Sequence, residues 1–389
     1  MLFIDHGTWE AFTALASALR VRGVAVARVT SPPRGRSRAV LMRVERLVYG
    51  KERRMVRPPT TRGAAASLAD VALVVGPDVV DVQATDQLSH LLLSDNPSLA
   101  AVLGRARADV GALVPFEKAP VLDIAARAGV PVPRSMQPGT VEFPAVVKSD
   151  VGSGGDRVRV VHDEQELDEA MRELESFTGS RPSVQQYWGG GELSVGAVAR
   201  HGETLVAVAY ATEPAAHDRH GPPAYVTLID RPDILDHARA LIAAIGGSGF
   251  IALGFVLDEA QGAYLIDYNP RAFGSWPALQ ATGADFIGAY LFSLGLGPRP
   301  SAITASPGRR EFLLRFPSGA TTWSQQLRWT RDSTRVVTGR ARQLGWRWAA
   351  VSMMKVASGT LLGAAELNRR RVSRISSTLI TDRSNPRSW

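Results

Sequence analysis

The sequence predicts an α/β protein: a small parallel-sheet domain at the N-terminus, then a larger body of strands and helices, then a helical basic extension. Three observations carry this. Residues 2–29 read strand, helix, strand at the spacing of a βαβ unit. Four short apolar runs between 143 and 199 are interrupted by one amphipathic stretch over 164–176. Two apolar runs, 250–257 and 263–268, read as a hairpin. The expected boundaries are 1–114, 115–297 and 298–389.

In chain order, 2–5 is a short apolar strand, and 8–21 a helix with Phe12, Leu15, Ala16 and Leu19 at helical spacing. Residues 24–29 form the next strand. Residues 31–63, bracketed by Pro32-Pro33 and Pro58-Pro59, read as a basic loop or excursion. Strands are expected at 71–75 and 79–82, and a helix at 86–95. A helix over 119–129 ends at Gly129. Strands follow at 143–148, 158–161, 183–187 and 193–199, with helices at 164–176 and near 232–245. Beyond 300 the pattern supports one helix, 340–368, and a frayed end.

The chain has 389 residues, 45% hydrophobic and 21% charged, which fits a folded globular protein. It has no cysteine, which excludes a disulfide scaffold, a thiolate-ligated metal and a thiol nucleophile. No apolar run is long enough for a membrane span. The N-terminal residues lack a signal-peptide pattern, so a cytoplasmic location is expected. The net charge of +8 is uneven: residues 31–63 hold ten Arg/Lys against two Asp/Glu, and 301–389 hold sixteen against four. Such segments suit phosphates, nucleic acid or an anionic membrane surface. Only four of the 45 basic residues are lysine, at 51, 118, 148 and 355, which singles out the two in the central body.

Lys148 ends a strand and is followed by Gly152, Ser153, Gly154 and Gly155, then another strand. Glycines let backbone amides approach phosphate oxygens, and the lysine adds charge. Alone, that loop reads as readily as a plain hairpin turn. The order of its neighbours adds weight. Lys118 opens a helix. Gln185-Gln186-Tyr187-Trp188 ends a strand, with Glu192 four residues on. Asp267 and Asn269, two apart on one strand, share a face and could hold magnesium through oxygen.

This order resembles the ATP-grasp superfamily of carboxylate–amine and carboxylate–thiol ligases over about residues 70–297. The motifs are Phe116-Glu117-Lys118, Gly129-Val130-Pro131-Val132-Pro133, Pro144-Ala145-Val146-Val147-Lys148, Gly152-Ser153-Gly154-Gly155 and Ile266-Asp267-Tyr268-Asn269-Pro270-Arg271. The segment 269–286 looks closest to the carbamoyl-phosphate-synthase-like, single-module branch of carboxylate–amine ligases. The resemblance implies a pre-ATP-grasp α/β domain followed by a two-subdomain ATP-grasp fold. It implies ATP and Mg²⁺, with Mn²⁺ as the alternative ion, and small-molecule carboxylate and amine substrates joined through an acyl phosphate. Lys118 and Lys148 would bind the α/β-phosphates, and Gly152, Ser153, Gly154 and Gly155 would fold over the β/γ-phosphates. Gln185, Tyr187 and Trp188 would flank adenine, and Glu192 would hold the ribose. Asp267 and Asn269 would hold magnesium. Arg271, with Lys148, would act on the transferred phosphate.

The pattern departs from the family at four places. The acid usual thirteen residues before the second metal acid is Gly254 here, with Asp258 an uncertain substitute. The second acid is Asp267 rather than glutamate, the hinge acid is Gln185, and Arg157 stands where glycine is common. These departures keep open a rival reading, a nucleotide-binding module without ligase turnover.

Other residues admit several readings. Asp86 caps a helix or orients substrate. His217, Arg219 and His220 form a plain polar loop, bind the acceptor or form a lid. The Arg/Trp-rich tail packs on the body, binds nucleic acid, or lies on an anionic membrane at the inner face through Trp346, Trp348, Val351, Met354, Leu361 and Leu362. Nucleic acid is not the expected partner, because no recognised module is present. The sequence does not specify an oligomeric state.

Overall fold

The computed structural model describes residues 1–5, 10–30, 36–54, 79–95, 97–103, 105–107, 109–137, 139–150, 157–178, 181–214, 223–260, 262–301, 306–313, 323–358 and 360. The first sheet is built from β1 (Leu2–Asp5), α1 (Glu10–Val21), β2 (Ala27–Thr30), α2 (Arg36–Tyr49), β3 (Lys51–Arg54) and β4 (Val82–Ala84). Its order is β3-β2-β1-β4 and every pair is parallel. β1 is central, and its Leu2, Phe3 and Ile4 are buried on both faces, as a parallel sheet covered by helices requires.

The expected basic excursion at 31–63 is corrected in part: 36–49 is a helix and 51–54 a fourth parallel strand. Met42, Glu45, Val48 and Tyr49 form its buried face, while Arg43 and Arg46 face water. The arginines and a buried glutamate hide that apolar stripe from a composition reading. Glu45 is neutralised by Arg28 and by Lys355 at 2.8 Å. The strand expected at 71–75 lies outside the described residues, and the next begins at Val82 rather than Val79.

The chain continues through α3 (Asp86–Asp95), the short α4 (Ala100–Leu103) and α5 (Lys118–Arg127) into a small antiparallel sheet. That sheet holds β5 (Ser135–Met136), β6 (Ala145–Lys148), β7 (Val158–Val161) and β8 (Ser183–Gln186) in the order β5-β8-β6-β7, and α6 (Glu164–Thr178) covers it. Ala145, Val147 and Val184 join Leu167, Ala170 and Leu174 in its core. The alternate residues Val146, Lys148, Ser183 and Gln185 therefore share the other face.

The largest sheet is antiparallel. It contains β9 (Glu192–Arg200), β10 (Glu203–Pro214), β11 (Pro223–Leu228), β12 (Gly249–Leu257), β13 (Ala263–Asn269) and, after two helices, β14 (Arg310–Phe312). Its order is β13-β12-β9-β10-β11-β14. Its two faces feed two cores, as period-2 alternation demands: Ala197 and Ile251 point one way, Val198 and Phe250 the other. The helix α7 (Pro232–Ile245) covers the first face with Ile234, Ala238, Leu241, Ile242 and Ile245. Proline sits in its first turn, and Gly246 at φ 72° ends it. The helices α8 (Trp276–Ala281) and α9 (Phe286–Ser293) cover the second face with α1.

Past β14, the expected single helix is two: α10 (Trp323–Leu344) and α11 (346–358), divided by Gly345 at φ 88°. Trp348 and Val351 are buried in the core, so two of the six tail residues assigned to a membrane surface are unavailable to it. Trp348 Nε1 donates to Glu10 at 2.7 Å, which ties the tail to α1. Trp346 and Met354 are exposed; Leu361 and Leu362 lie outside the described residues. Among the described residues, no helix is long and apolar enough to cross a membrane.

Candidate functional site

The site grows from the last strand of the β12–β13 hairpin. Asp267 and Asn269 point the same way from β13, and the Asn269 amide nitrogen donates to Asp267 Oδ2 at 2.6 Å. The Lys118 ammonium, in the first turn of α5, lies 3.2 Å from Asp267 Oδ1. The Lys148 ammonium, at the end of β6, donates to the Ile266 carbonyl at 3.1 Å. Two sheets and one helix thus converge on one strand. Asp150 fixes the join: its carbonyl accepts from the Lys118 amide at 3.0 Å, and its carboxylate accepts from the Ala119 amide at 2.6 Å. It serves the orphan donors at the start of α5 from a segment about thirty residues away, and no local pattern announces it.

Arg271 follows on the loop after β13. Its Nη2 donates to Asn269 Oδ1 at 3.0 Å and its Nε to Asp86 Oδ2 at 2.8 Å. Asp86 opens α3 but spends its carboxylate on Arg271, which corrects the expectation that it caps the helix. Both side chains are buried.

A second brace lies beneath. Gln83 on β4 accepts from the Ala272 amide at 3.0 Å and donates to Asp81 at 2.9 Å and to the Tyr290 hydroxyl at 3.0 Å. Asp81 is ion-paired with Arg105 and accepts from Tyr290. The first sheet therefore sets the position of Arg271 and Ala272.

The electrostatics follow from burial and neighbours. Lys148 is 4% exposed. Burial, then the Lys118 charge, lowers its pKa from 10.5 to about 8. For Asp267, burial favours the neutral acid, but Lys118, Asn269 and Lys148 outweigh it and hold the carboxylate below its ordinary range. Burial raises the Asp86 pKa against the pull of Arg271, and the nearby Asp267 charge adds to the rise.

The residues assigned to adenine and ribose lie at the end of β8 and at the start of β9. Gln185 is buried on the Lys148 face of its sheet. Tyr187 is exposed. Trp188 stacks on Tyr264 at 5.0 Å between ring centroids, with its indole N–H buried and without a hydrogen bond. Glu192 is exposed at the start of β9, opposite Val256. Gly152, Ser153, Gly154 and Gly155 lie outside the described residues, as do His217, Arg219 and His220.

The register tests the metal donors. Gly254 is paired directly with Asp267, and a Cβ at Gly254 would lie 3.3 Å from Asp267 Cβ. The thirteen-residue count therefore finds the right neighbour, and it carries no ligand. Asp258 does not replace it: its carboxylate accepts from the Gly262 amide at 2.7 Å and the Tyr264 hydroxyl at 3.3 Å, closing the hairpin turn. Among the described residues no group of three His, Cys, Asp or Glu side chains could hold a metal. Asp267 Oδ1 faces the Lys118 ammonium, and the buried Ser149 hydroxyl beside Lys148 has no hydrogen-bond partner among the described residues. One carboxylate and one amide oxygen fit a single magnesium that keeps waters and takes phosphate oxygens; they do not fit two ions.

Of the residues singled out in the sequence, Lys118, Lys148, Asp267, Asn269 and Arg271 meet around β13; Asp150, which joins α5 to the end of β6, was not singled out. A family model described as an ATP-grasp domain matches residues 117–275. The carbamoyl phosphate synthase large chain of Clostridium beijerinckii is 25% identical over 173 residues, covering 40% of this chain but only 16% of that relative. Among solved structures, the biotin carboxylase domain of Hydrogenobacter thermophilus 2-oxoglutarate carboxylase, in complex with MgADP, ADP and bicarbonate, has a TM-score of 0.58. Its identity is 17%, over 77% of this chain and 71% of that one. The L-amino acid ligase from Bacillus licheniformis has a TM-score of 0.50 and 15% identity, over 70% of this chain and 67% of that one. Residues 117–275 thus match the model of an ATP-grasp domain, and the structure shares the fold of these neighbours.

Proposed function

We propose that this chain uses ATP and magnesium to join a small-molecule carboxylate to an amine through an acyl phosphate, releasing ADP and phosphate. The observation that carries the reading is the convergence of Lys118, Lys148, Asn269 and Arg271 around Asp267 on β13. That arrangement offers three cations and one carboxylate to a triphosphate. Residues 1–114 act as the domain that braces this wall, 115–297 as the ATP-grasp unit and 298–389 as the extension.

Lys118 and Lys148 bind the α/β-phosphates, displacing the contacts they make in the free protein. Gly152, Ser153, Gly154 and Gly155 cover the β/γ-phosphates. Gln185, Tyr187 and Trp188 border the adenine, and Glu192 the ribose. Asp267 and Asn269 hold Mg²⁺, or Mn²⁺ in its place, which when bound neutralises charge between the β- and γ-phosphates. A carboxylate oxygen of the substrate attacks the γ-phosphorus, and the bond to the β-phosphate oxygen breaks to release ADP. Lys148 and Arg271 offset the charge that develops on the transferred group. The amine then attacks the acyl carbon, phosphate leaves, and the amine loses a proton. No side-chain nucleophile is required, in keeping with a chain that lacks cysteine.

The test is ADP release with pools of carboxylates and amines: release that requires both substrates and is abolished in Arg271→Ala supports the reading. ADP release by wild type that ignores both pools contradicts it. Gly254 opposite Asp267 favours a second reading, nucleotide binding without turnover. Gly254→Glu separates the two. A ligase already served by one ion keeps its turnover and gains magnesium affinity, whereas a silent binding module acquires turnover only in the variant.

A further inference from the structure

Gly345 turns the chain between α10 and α11 and sets the first turn of α11 against the last turn of α1. Between them lies a cavity of about 310 Å³ lined by Ser17, Arg20, Val21, Gly345, Trp346 and Arg347. Glycine is needed at the turn: a Cβ on Gly345 would lie 2.5 Å from Val21 and 3.3 Å from the Ser17 hydroxyl.

The lining contains two arginines and no carboxylate. Among the described residues neither guanidinium has an ion-pair or hydrogen-bond partner. The two are close enough that, after burial, the Arg347 charge is what lowers the Arg20 pKa. By contrast, the buried cations Arg28, Arg105, Arg271 and Lys355 are each ion-paired with a carboxylate.

Three further features point to an anion. Ser17 is buried, and its hydroxyl has no hydrogen-bond partner among the described residues. The backbone amides of 346–348 precede the first bond of α11, from the Ala349 amide to the Gly345 carbonyl at 3.1 Å, so they are helix N-terminal donors. Arg347 lies 5.5 Å from the centre of the Trp346 ring, which holds it at the mouth. Trp346 is 67% exposed and Val21 is exposed beside it, giving the mouth an apolar rim.

We propose that this cavity binds a phosphate group, either on an anionic lipid headgroup or free in solution. Arg20 and Arg347 supply charge, Ser17 and the α11 amides supply donors, and the Trp346 rim suits the lipid source. The site shares no residue with the wall around Asp267, so it stands or falls independently of the ligase reading.

The experiment uses the full chain with three probes: phosphatidylcholine vesicles, the same vesicles containing phosphatidylglycerol, and inorganic phosphate by calorimetry. Arg20→Gln/Arg347→Gln is compared with Arg335→Gln/Arg342→Gln, which removes equal charge from exposed positions on α10. The expected result is binding that needs phosphatidylglycerol or phosphate, falls about tenfold or more in the first variant, and stays within about twofold in the second. Vesicle binding identifies a lipid headgroup; phosphate binding without it identifies a soluble ligand. Should the double variant fail to fold, Arg347→Gln alone takes its place, with a loss of about threefold or more. Binding of no probe, or equal losses in the two charge variants, overturns the proposal.

Discussion

Lys148 carries the sharpest conflict at the residue scale. Its ammonium is buried beside a second lysine and answered by one backbone carbonyl, so its pKa stands at about 8. The unfolded chain holds that proton up to about pH 10.4. Between these values the unfolded state binds more protons, so stability rises with pH through about 8 to 10 and carries the full penalty below 8. Replacing the charge removes a penalty of up to ~3 kcal/mol, less ~1 kcal/mol for the unpaired Ile266 carbonyl. Lys148→Met is therefore expected to raise the Tm by a few degrees at pH 7 and to abolish ATP binding. A thermal scan and a titration on one sample check both. In the wild type, ATP affinity should fall above about pH 8, up to tenfold per unit, as Lys148 loses its proton.

At the element scale, the turn into β9 shows how little space the site leaves. A Cβ on Gly190 would lie 2.0 Å from the Leu257 carbonyl oxygen, where the Leu257 amide already donates to the Gly191 carbonyl at 3.0 Å. Gly190→Ala must push β9 away from the end of β12, at about 2–3 kcal/mol, and with it Trp188 and Glu192. Chemical denaturation should show that loss; unchanged stability would mean that the turn yields freely. The hairpin and α7 were legible in the sequence because their apolar periods are clean and their ends are marked by proline and glycine. α2 was not, because its buried stripe includes Glu45, which reads as surface until Arg28 and Lys355 are found against it. Asp150 and Asp86 were illegible for a related reason: each serves an element distant in sequence, and their partners appear only once the chain is folded. The rarity of lysine was a better guide, since Lys118, Lys148 and Lys355 all face carboxylates or are buried.

At the scale of the whole molecule, the first sheet holds the reactive wall through one side chain. Gln83 bridges Asp81, Tyr290 and the Ala272 amide, so it links β4, α9 and the loop that carries Arg271. Gln83→Leu leaves the Ala272 amide buried and unpaired, at about 1–3 kcal/mol, and frees Arg271 to shift. It should lower the Tm and reduce turnover more than it weakens ATP binding; equal losses would assign Gln83 a purely structural role. The central claim is that β13, with the lysines beside it, is a magnesium–nucleotide site. Calorimetric titration of ATP with and without magnesium, on wild type and Asp267→Ala, tests it most directly. Magnesium-strengthened binding in the wild type, lost in the variant, is the predicted result. Binding indifferent to both magnesium and Asp267, or no binding at all, would contradict the account.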